Sequence, residues 1–181
     1  MILGAVLAGG QSSRFGSDKA LAELDGHTLL TRAVDTLSGW CEHVVVVGRA
    51  TAPAPTLPDW PGPGGGPLGG LAAALRHALD EGYDAVLSCG VDSVGLPDDL
   101  PALLAPSPAY VASQPIIGLW PAKAAAAIGE VLFGGGKHSM TAFARAIGAR
   151  AVHLATEPAN INTPADLAKL ERRPGEMNDG L

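Results

Sequence analysis

Ile2-Leu3-Gly4-Ala5-Val6-Leu7-Ala8-Gly9-Gly10-Gln11-Ser12-Ser13-Arg14-Phe15-Gly16-Ser17-Asp18-Lys19 decides how this chain is read. The run over residues 2–8 is apolar without interruption and stops at two glycines. That is the pattern of a strand buried on both faces. The run is too short for a secretory signal and has no positive charge ahead of it. A strand buried on both faces belongs to a parallel sheet covered by helices.

The rest of the chain agrees. Residues 43–48, with four consecutive valines, and residues 85–89 are two more buried strands. Residues 28–38 and 68–81 have helical spacing. Further helices are predicted at 98–104, 121–133 and 139–147. A last one runs from Pro164 to about Glu171, with Thr163 as its cap and Asp166 in its first turn. Residues 110–112 and 116–120 read as a hairpin, and 151–154 as a late strand. Residues 50–67 are too rich in proline and glycine for regular structure. This alternation predicts an α/β fold: a Rossmann-like three-layer α/β/α sandwich with a mostly parallel sheet. One domain over residues 1–173 is expected, with residues 174–181 as a disordered tail.

Charge removes several function classes. Twelve Lys and Arg stand against eighteen Asp and Glu, a net charge of −6. Such a surface does not suit non-specific nucleic-acid binding. No apolar run reaches 18 residues, so no membrane span is expected. Cys41 and Cys89 form neither a disulfide framework nor a metal pattern, and read as reduced thiols of a cytoplasmic protein.

Ligands of such sheets bind at the carboxyl ends of the strands, which singles out the loops after Ala8, Gly48 and Cys89. In the first loop Gly9 and Gly10 let the backbone come close to a ligand, and successive amides there can face phosphate oxygens. Arg14 and Lys19 add two positive charges, a planar fork and a compact point charge. The loop reads as a polyphosphate site. The alternative is a glycine turn with two solvated cations. It is not a Walker A loop, because Gly16 is followed by Ser17-Asp18. Gly64-Gly65-Gly66-Pro67-Leu68-Gly69 fits the dinucleotide-binding spacing but follows Asp59-Trp60-Pro61-Gly62-Pro63, which cannot be a central strand. Asp92 follows the strand at 85–89 and faces the same crevice as the first loop. Beside a polyphosphate it suits Mg²⁺, which takes one or two carboxylates plus phosphate oxygens. The alternative is a turn-forming Asp ahead of Pro97.

Leu7-Ala8-Gly9-Gly10-x-Ser12-x-Arg14-x-Gly16-x-Asp18-Lys19 resembles the opening of the molybdenum cofactor nucleotidyltransferases, the MobA-like family, and within it the guanylyltransferases. Three more stretches agree in order. Asp59 stands ahead of Gly66-Pro67-Leu68-Gly69-Gly70-Leu71, Cys89-x-x-Asp92 ahead of Pro97, and Asn160-Ile161-Asn162-Thr163-Pro164-Ala165-Asp166-Leu167 closes the set. The resemblance spans residues 7–167 and implies a nucleotide-diphospho-sugar transferase-like fold. It implies transfer of GMP from GTP to molybdopterin, usually already carrying molybdenum, with pyrophosphate released and Mg²⁺ as cofactor. It assigns nucleotide binding to Leu7, Ala8, Gly9, Gly10, Lys19, Asp59 and Asp92. Catalysis falls to Arg14, Lys19 and Asp92, with Asp92 the metal ligand. Gln114, Lys137, Asn160 and Asn162 are the pterin-side candidates. Residues 1–100 are then the nucleotide half and 101–173 the pterin half. A molybdoenzyme or its chaperone is implied as the receiver of the product.

Three departures accompany it. Gly48-Arg49 stands where guanylyl members can carry an Asn, Ser93-Val94 replaces Thr-Pro, and the hairpin before Gln114-Pro115 is short. A cytidylyltransferase using CTP and a non-catalytic nucleotide-binding regulator therefore stay open as alternatives.

Overall fold

The structure is a computed structural model and describes residues 1–10 and 18–172. Arg14 and Gly16 of the first loop, and the expected tail at 174–181, lie outside the described residues.

Strand β1 (Ile2–Leu7) is central, and five of its six residues are buried. It pairs in parallel with β4 (His43–Val47) on one side and β6 (Ala85–Gly90) on the other. Among the described residues the main sheet has seven strands in the order β10-β8-β9-β6-β1-β4-β5. The remaining members are β5 (Thr56–Leu57), β8 (Ala109–Val111), β9 (Gln114–Pro121) and β10 (Arg150–Val152). Only β9 runs against its neighbours, β6 and β8. The sheet is thus mostly parallel, as expected.

Residues alternate between its two faces, and each face has its own core. Helix α1 (Leu29–Ser38) turns Leu30, Ala33, Val34 and Leu37 onto Val6, Val44 and Val46. Thr28 starts it, its hydroxyl accepting from the Thr31 amide at 3.1 Å. Helix α3 (Leu100–Leu104) adds Leu100 and Leu104 to the same face. The opposite face carries α2 (Gly66–Asp80), α4 (Ala125–Phe133) and α5 (Met140–Ala146), packed over Leu3, Ala5, Leu7, Val45 and Val47. Trp120 of β9 is fully buried there, and its indole N–H donates to Ser88 Oγ at 2.9 Å. Buried polar groups must be paired in this way to be tolerated.

Several boundaries differ from the sequence reading. Residues 121–133 split: Pro121 stays in β9 opposite Ala85, a 3₁₀ turn covers Ala122–Ala124, and the α-helix begins at Ala125. The late strand is Arg150–Val152, not 151–154, set by pairing with β8. Short pieces emerge where none were expected. β2 (Glu23–Leu24) and β3 (His27–Thr28) form a hairpin about Asp25-Gly26, both at positive φ. β7 (Ser93–Val94) and β11 (Ala159–Asn160) pair antiparallel. The last helix, α6 (Pro164–Glu171), carries the Thr163–Asp166 capping box.

The parallel strands β1, β4, β5, β6, β8 and β10 all finish at one end of the sheet, and β9 begins there. The 3₁₀ turn that leads into α4 starts beside Asp84 at the opposite end, Ala122 N donating to Asp84 O at 2.9 Å, so the loop between α4 and α5 returns to the same end as the strand termini. One sheet therefore runs through both proposed halves of the chain and presents their loops together.

Candidate active site

The chain order of β1, β4 and β6 reverses around β1: β4 is laid on one side and β6 on the other. A crevice opens where such a reversal occurs. Two hollows occupy it. One, of about 180 Å³, is lined by residues 7–10, Asp18, Lys19, Ala20, Pro67, Val91, Asp92 and Ile116. The other, of about 430 Å³, lies against Gly48, Arg49, Ala50, Thr56, Pro58, Asp59 and Pro63.

The backbone of the first loop is pinned before it enters the crevice, the Ala8 amide donating to Val47 O at 2.9 Å. Gly9 then passes Gly48 so closely that a Cβ on Gly48 would lie 2.6 Å from Gly9 Cα. Gly48 also has φ +90°, a conformation that side chains rarely adopt. Glycine is needed at this crossing for both reasons. The Asp59 carboxylate lies against the same crossing, within ordinary contact of a Cβ built on either glycine. Gly69 and Gly70, in the first turns of α2, keep that helix close to Trp60 O, Leu7, Val47 and Asp59. Asp59 has no hydrogen-bond partner among the described residues, and burial raises its carboxyl above the ordinary value. A carboxylate held in this way offers acceptors to a ligand's N–H or O–H groups.

Lys19 and Asp92 meet in the smaller hollow, Nζ to Oδ2 at 3.1 Å, with about a fifth of each side chain exposed. Lys19 opens a short 3₁₀ turn, Lys19–Leu21, whose cap Asp18 accepts from the Ala20 amide at 3.2 Å. Asp92 stands two residues past β6. A Cβ on Gly90 would lie 2.6 Å from Asp92 Oδ1, so glycine at 90 lets the carboxylate fold back over the strand end. From behind, the Asp92 loop is held by the C-terminal segment: Asn160 pairs with Ser93, and the Ile161 amide donates to Asp92 O at 3.2 Å.

The sequence candidates fall into groups. Leu7, Ala8, Gly9, Gly10, Lys19 and Asp92 are brought to one hollow, and Asp59 to the adjoining one. Asn160 and Asn162 flank the residue bonded to Asp92, and the Asn162 amide donates to Asp166 Oδ2 at 3.0 Å. Lys137 is exposed in the loop between α4 and α5. Gln114 is buried, and both ends of its amide are engaged. Its Nε2 donates to Pro158 O at 2.8 Å, and its Oε1 accepts from Ser93 Oγ at 3.1 Å. The sequence reading missed one element altogether. Arg49 grips Asp18 with both terminal nitrogens, at 2.8 and 3.1 Å. No spacing rule announces a pair 31 residues apart.

A model of the MobA-like NTP transferase domain matches residues 4–153, most of the chain. The chain belongs to that family. Its relatives extend the match over nearly its whole length. It is 40% identical to a molybdenum cofactor guanylyltransferase of Acidiphilium cryptum, covering 92% of each chain. It is 37% identical to another from Rhodobacter capsulatus, covering 95% of this chain and 96% of that one. Among solved structures, molybdopterin-guanine dinucleotide biosynthesis protein A of Archaeoglobus fulgidus superposes with a TM-score of 0.71 at 20% identity, over 94% of this chain and 97% of that one. The MobA-like sandwich seen here is thus the nucleotide-diphospho-sugar transferase-like fold that the sequence implied. Gly9, Gly10, Lys19 and Asp92, which carried the resemblance in the sequence, lie together at the ends of β1 and β6.

An Mg²⁺ ion asks for one or two carboxylates, with the remaining positions filled by phosphate oxygens and water. Asp92, partly exposed at the edge of a hollow wide enough for phosphate, fits that demand. Among the described residues no cluster of three His, Cys, Asp or Glu exists, so any ion held here draws most of its ligands from substrate and solvent.

Proposed function

We propose that this MobA-like protein transfers GMP from GTP to the terminal phosphate of molybdopterin, with or without bound molybdenum. A phosphate oxygen of the pterin forms a bond to the α-phosphorus of GTP. The bond from that phosphorus to the oxygen bridging the α- and β-phosphates breaks, and pyrophosphate leaves with its electron pair. The attacking oxygen already carries negative charge at neutral pH, so no protein base is needed. The observation that carries the reading is the 3.1 Å meeting of Lys19 and Asp92 beside the glycine backbone at residues 9 and 10. Transfer between two anions is limited by positioning and charge, and this hollow supplies both.

In this reading residues 7–10 line the triphosphate through backbone groups, and Lys19 neutralises it. Arg14, from the same loop, adds a second cation. Asp59 accepts hydrogen bonds from the nucleoside. Asp92 would hold Mg²⁺, which supplies charge neutralisation across the phosphates when bound. Asn160, Asn162 and Lys137 receive the pterin. Gln114, with its amide engaged inside, supports that side by tying Ser93 to Pro158. Residues 1–100 are chiefly the nucleotide half and 101–173 the pterin half. Two free thiols, Cys41 and Cys89, suit a reducing cytoplasm, and no helix among the described residues is long and apolar enough to cross a membrane. The product passes to a molybdoenzyme or its chaperone.

The test is pyrophosphate release from purified protein, molybdopterin and Mg²⁺ with GTP or CTP. Release with GTP, and a loss of at least about a hundredfold in Asp92→Asn, is expected. Release with CTP alone transfers the reading to a cytidylyltransferase. Nucleotide binding without release from either makes the protein a regulator.

A further inference from the structure

Arg49 stands two residues past the end of β4 and grips a carboxylate of the first loop. Its Nη2 meets Asp18 Oδ2 at 2.8 Å and its Nη1 meets Oδ1 at 3.1 Å. This is the two-point grip that guanidinium geometry favours. The same Asp18 oxygen, Oδ1, accepts from the Ala20 amide and so caps the turn that begins at Lys19. Lys19 then reaches Asp92, past the end of β6. Arg49, Asp18, Lys19 and Asp92 thus form a chain of contacts from β4 to β6. Those two strands flank β1, so the chain arches over the β1 terminus where the glycine backbone lies. Arg49 lines the larger hollow and Asp18 the smaller, which makes their ion pair the wall between them. The Arg49 Nε is buried with no hydrogen-bond partner among the described residues. The guanidinium is therefore held by Asp18 at a desolvation cost that a solvated surface arginine would not bear.

We infer that Arg49 is a positioning residue of the transfer site: by clamping Asp18 it fixes the turn that carries Lys19, and so sets where the ammonium meets the triphosphate. The inference rests on the triphosphate reading of the smaller hollow. Clamping has a second effect. Asp18 and Asp92 both line the hollow with Lys19. With its charge matched by Arg49, Asp18 does not compete with Asp92 for the Lys19 ammonium. Arg49 also holds the Asp18 carboxyl below its ordinary value, so the pair stays charged through the neutral range.

The experiment compares the affinities of GTP and GMP, each by displacement of a methylanthraniloyl-GTP probe, in Arg49→Ala, Arg49→Lys, Asp18→Asn and the double variant Arg49→Ala/Asp18→Asn. Arg49→Ala is expected to lose about 10- to 50-fold in GTP affinity and less than about twofold for GMP, since only the triphosphate reaches Lys19. Asp18→Asn keeps an acceptor for the Ala20 amide and is expected to lose less. Adding Arg49→Ala to it is expected to cost little more, because the two residues act as one unit. Arg49→Lys, with one contact in place of two, is expected to fall between wild type and Arg49→Ala. Equal losses for GTP and GMP, or additive losses in the double variant, overturn the inference. Pyrophosphate release by the wild type is scored separately. Its absence removes the transfer reading, while the binding ratios still decide the role of Arg49.

Discussion

Gly48→Ala is the sharpest probe of how the crevice is built. The substitution meets two obstacles. At φ +90° an alanine pays the left-handed penalty, about 1–2 kcal/mol. Its Cβ would also lie 2.6 Å from Gly9 Cα and 2.7 Å from Gly9 N, both backbone atoms that no rotamer change can move. Ordinary contact begins at 3.4 Å, so the ends of β1 and β4 must separate by about 0.8 Å. The hydrogen bonds from Ala8 N to Val47 O and from Gly48 N to Leu57 O resist that separation. Overpacking of this kind costs about 1–3 kcal/mol, for a total of about 2–5 kcal/mol. At about 2–4 °C per kcal/mol for a chain of this size, Tm should fall by about 4–20 °C. The same displacement moves the Gly9 amide and the Asp59 carboxylate relative to each other, and kcat/KM for GTP should drop about 10- to 100-fold. Gly82→Ala isolates the backbone term. Gly82 has φ +81°, with open space around its Cβ, in the turn after α2 and far from the crevice. Thermal melts and pyrophosphate-release kinetics on both variants decide the matter. A Gly48→Ala protein with the Tm of Gly82→Ala and unchanged kcat/KM would refute the close crossing as the reason for glycine at 48.

Two further outcomes follow from charged groups. Burial raises the Asp59 carboxyl and so penalises its ionised form in the folded state at pH values above that raised value. Asp59→Asn should therefore melt higher than wild type at neutral pH while binding GTP more weakly, and the wild-type affinity should decline as pH falls through the raised Asp59 value. An Asp59→Asn protein that binds GTP as tightly as wild type would remove Asp59 from the nucleoside site. Asp166 is held low, first by the Asn162 amide and then by Thr163. Its stabilisation is present above its ordinary value of 3.8 and is lost as pH falls through the lowered one. Asp166→Asn should accordingly melt below wild type at neutral pH, with the gap closing in acid. A gap that stays constant with pH would show that the capping box contributes nothing through charge.

The long elements were legible because burial and period agree in them. The apolar run at 2–8 and the valines at 44–47 have nowhere to go but a covered parallel sheet, and the α1 stripe of Leu30, Ala33, Val34 and Leu37 has one face to bury. The glycine loop, Lys19 and Asp92 were legible because glycine next to isolated cations in an acidic chain is chemically conspicuous. What escaped depends on tertiary pairing. β7 and β11 are two residues each and exist only because each supplies the other's hydrogen bonds. Pro121 reads as a helix start, yet β6 recruits it as a strand end. Arg49 reads as a missing asparagine, and its grip on Asp18 becomes visible only when β4 and the end of the first loop lie side by side. The β2–β3 hairpin was within reach: Asp25-Gly26 is a strong turn signal.

The antiparallel contact between β7 and β11 has a consequence for the order in which this protein comes into being. The residues proposed to meet the triphosphate lie between 7 and 92, but the backbone of Asp92 is tethered by Ile161 and its neighbouring Ser93 by Asn160. A ribosome releases residues 160 and 161 only after some seventy more have followed Asp92, several seconds later at about 5–20 residues per second. Until then the nascent chain holds the glycine loop and the aspartate without the brace that aims one at the other. GTP, which could otherwise stabilise the folded form by mass action, has no finished seat in the half-made protein. On the proposed reading, the finished seat for the nucleotide exists only once residues 160 and 161 have been made, and the nucleotide cannot serve as a template for the chain's beginning.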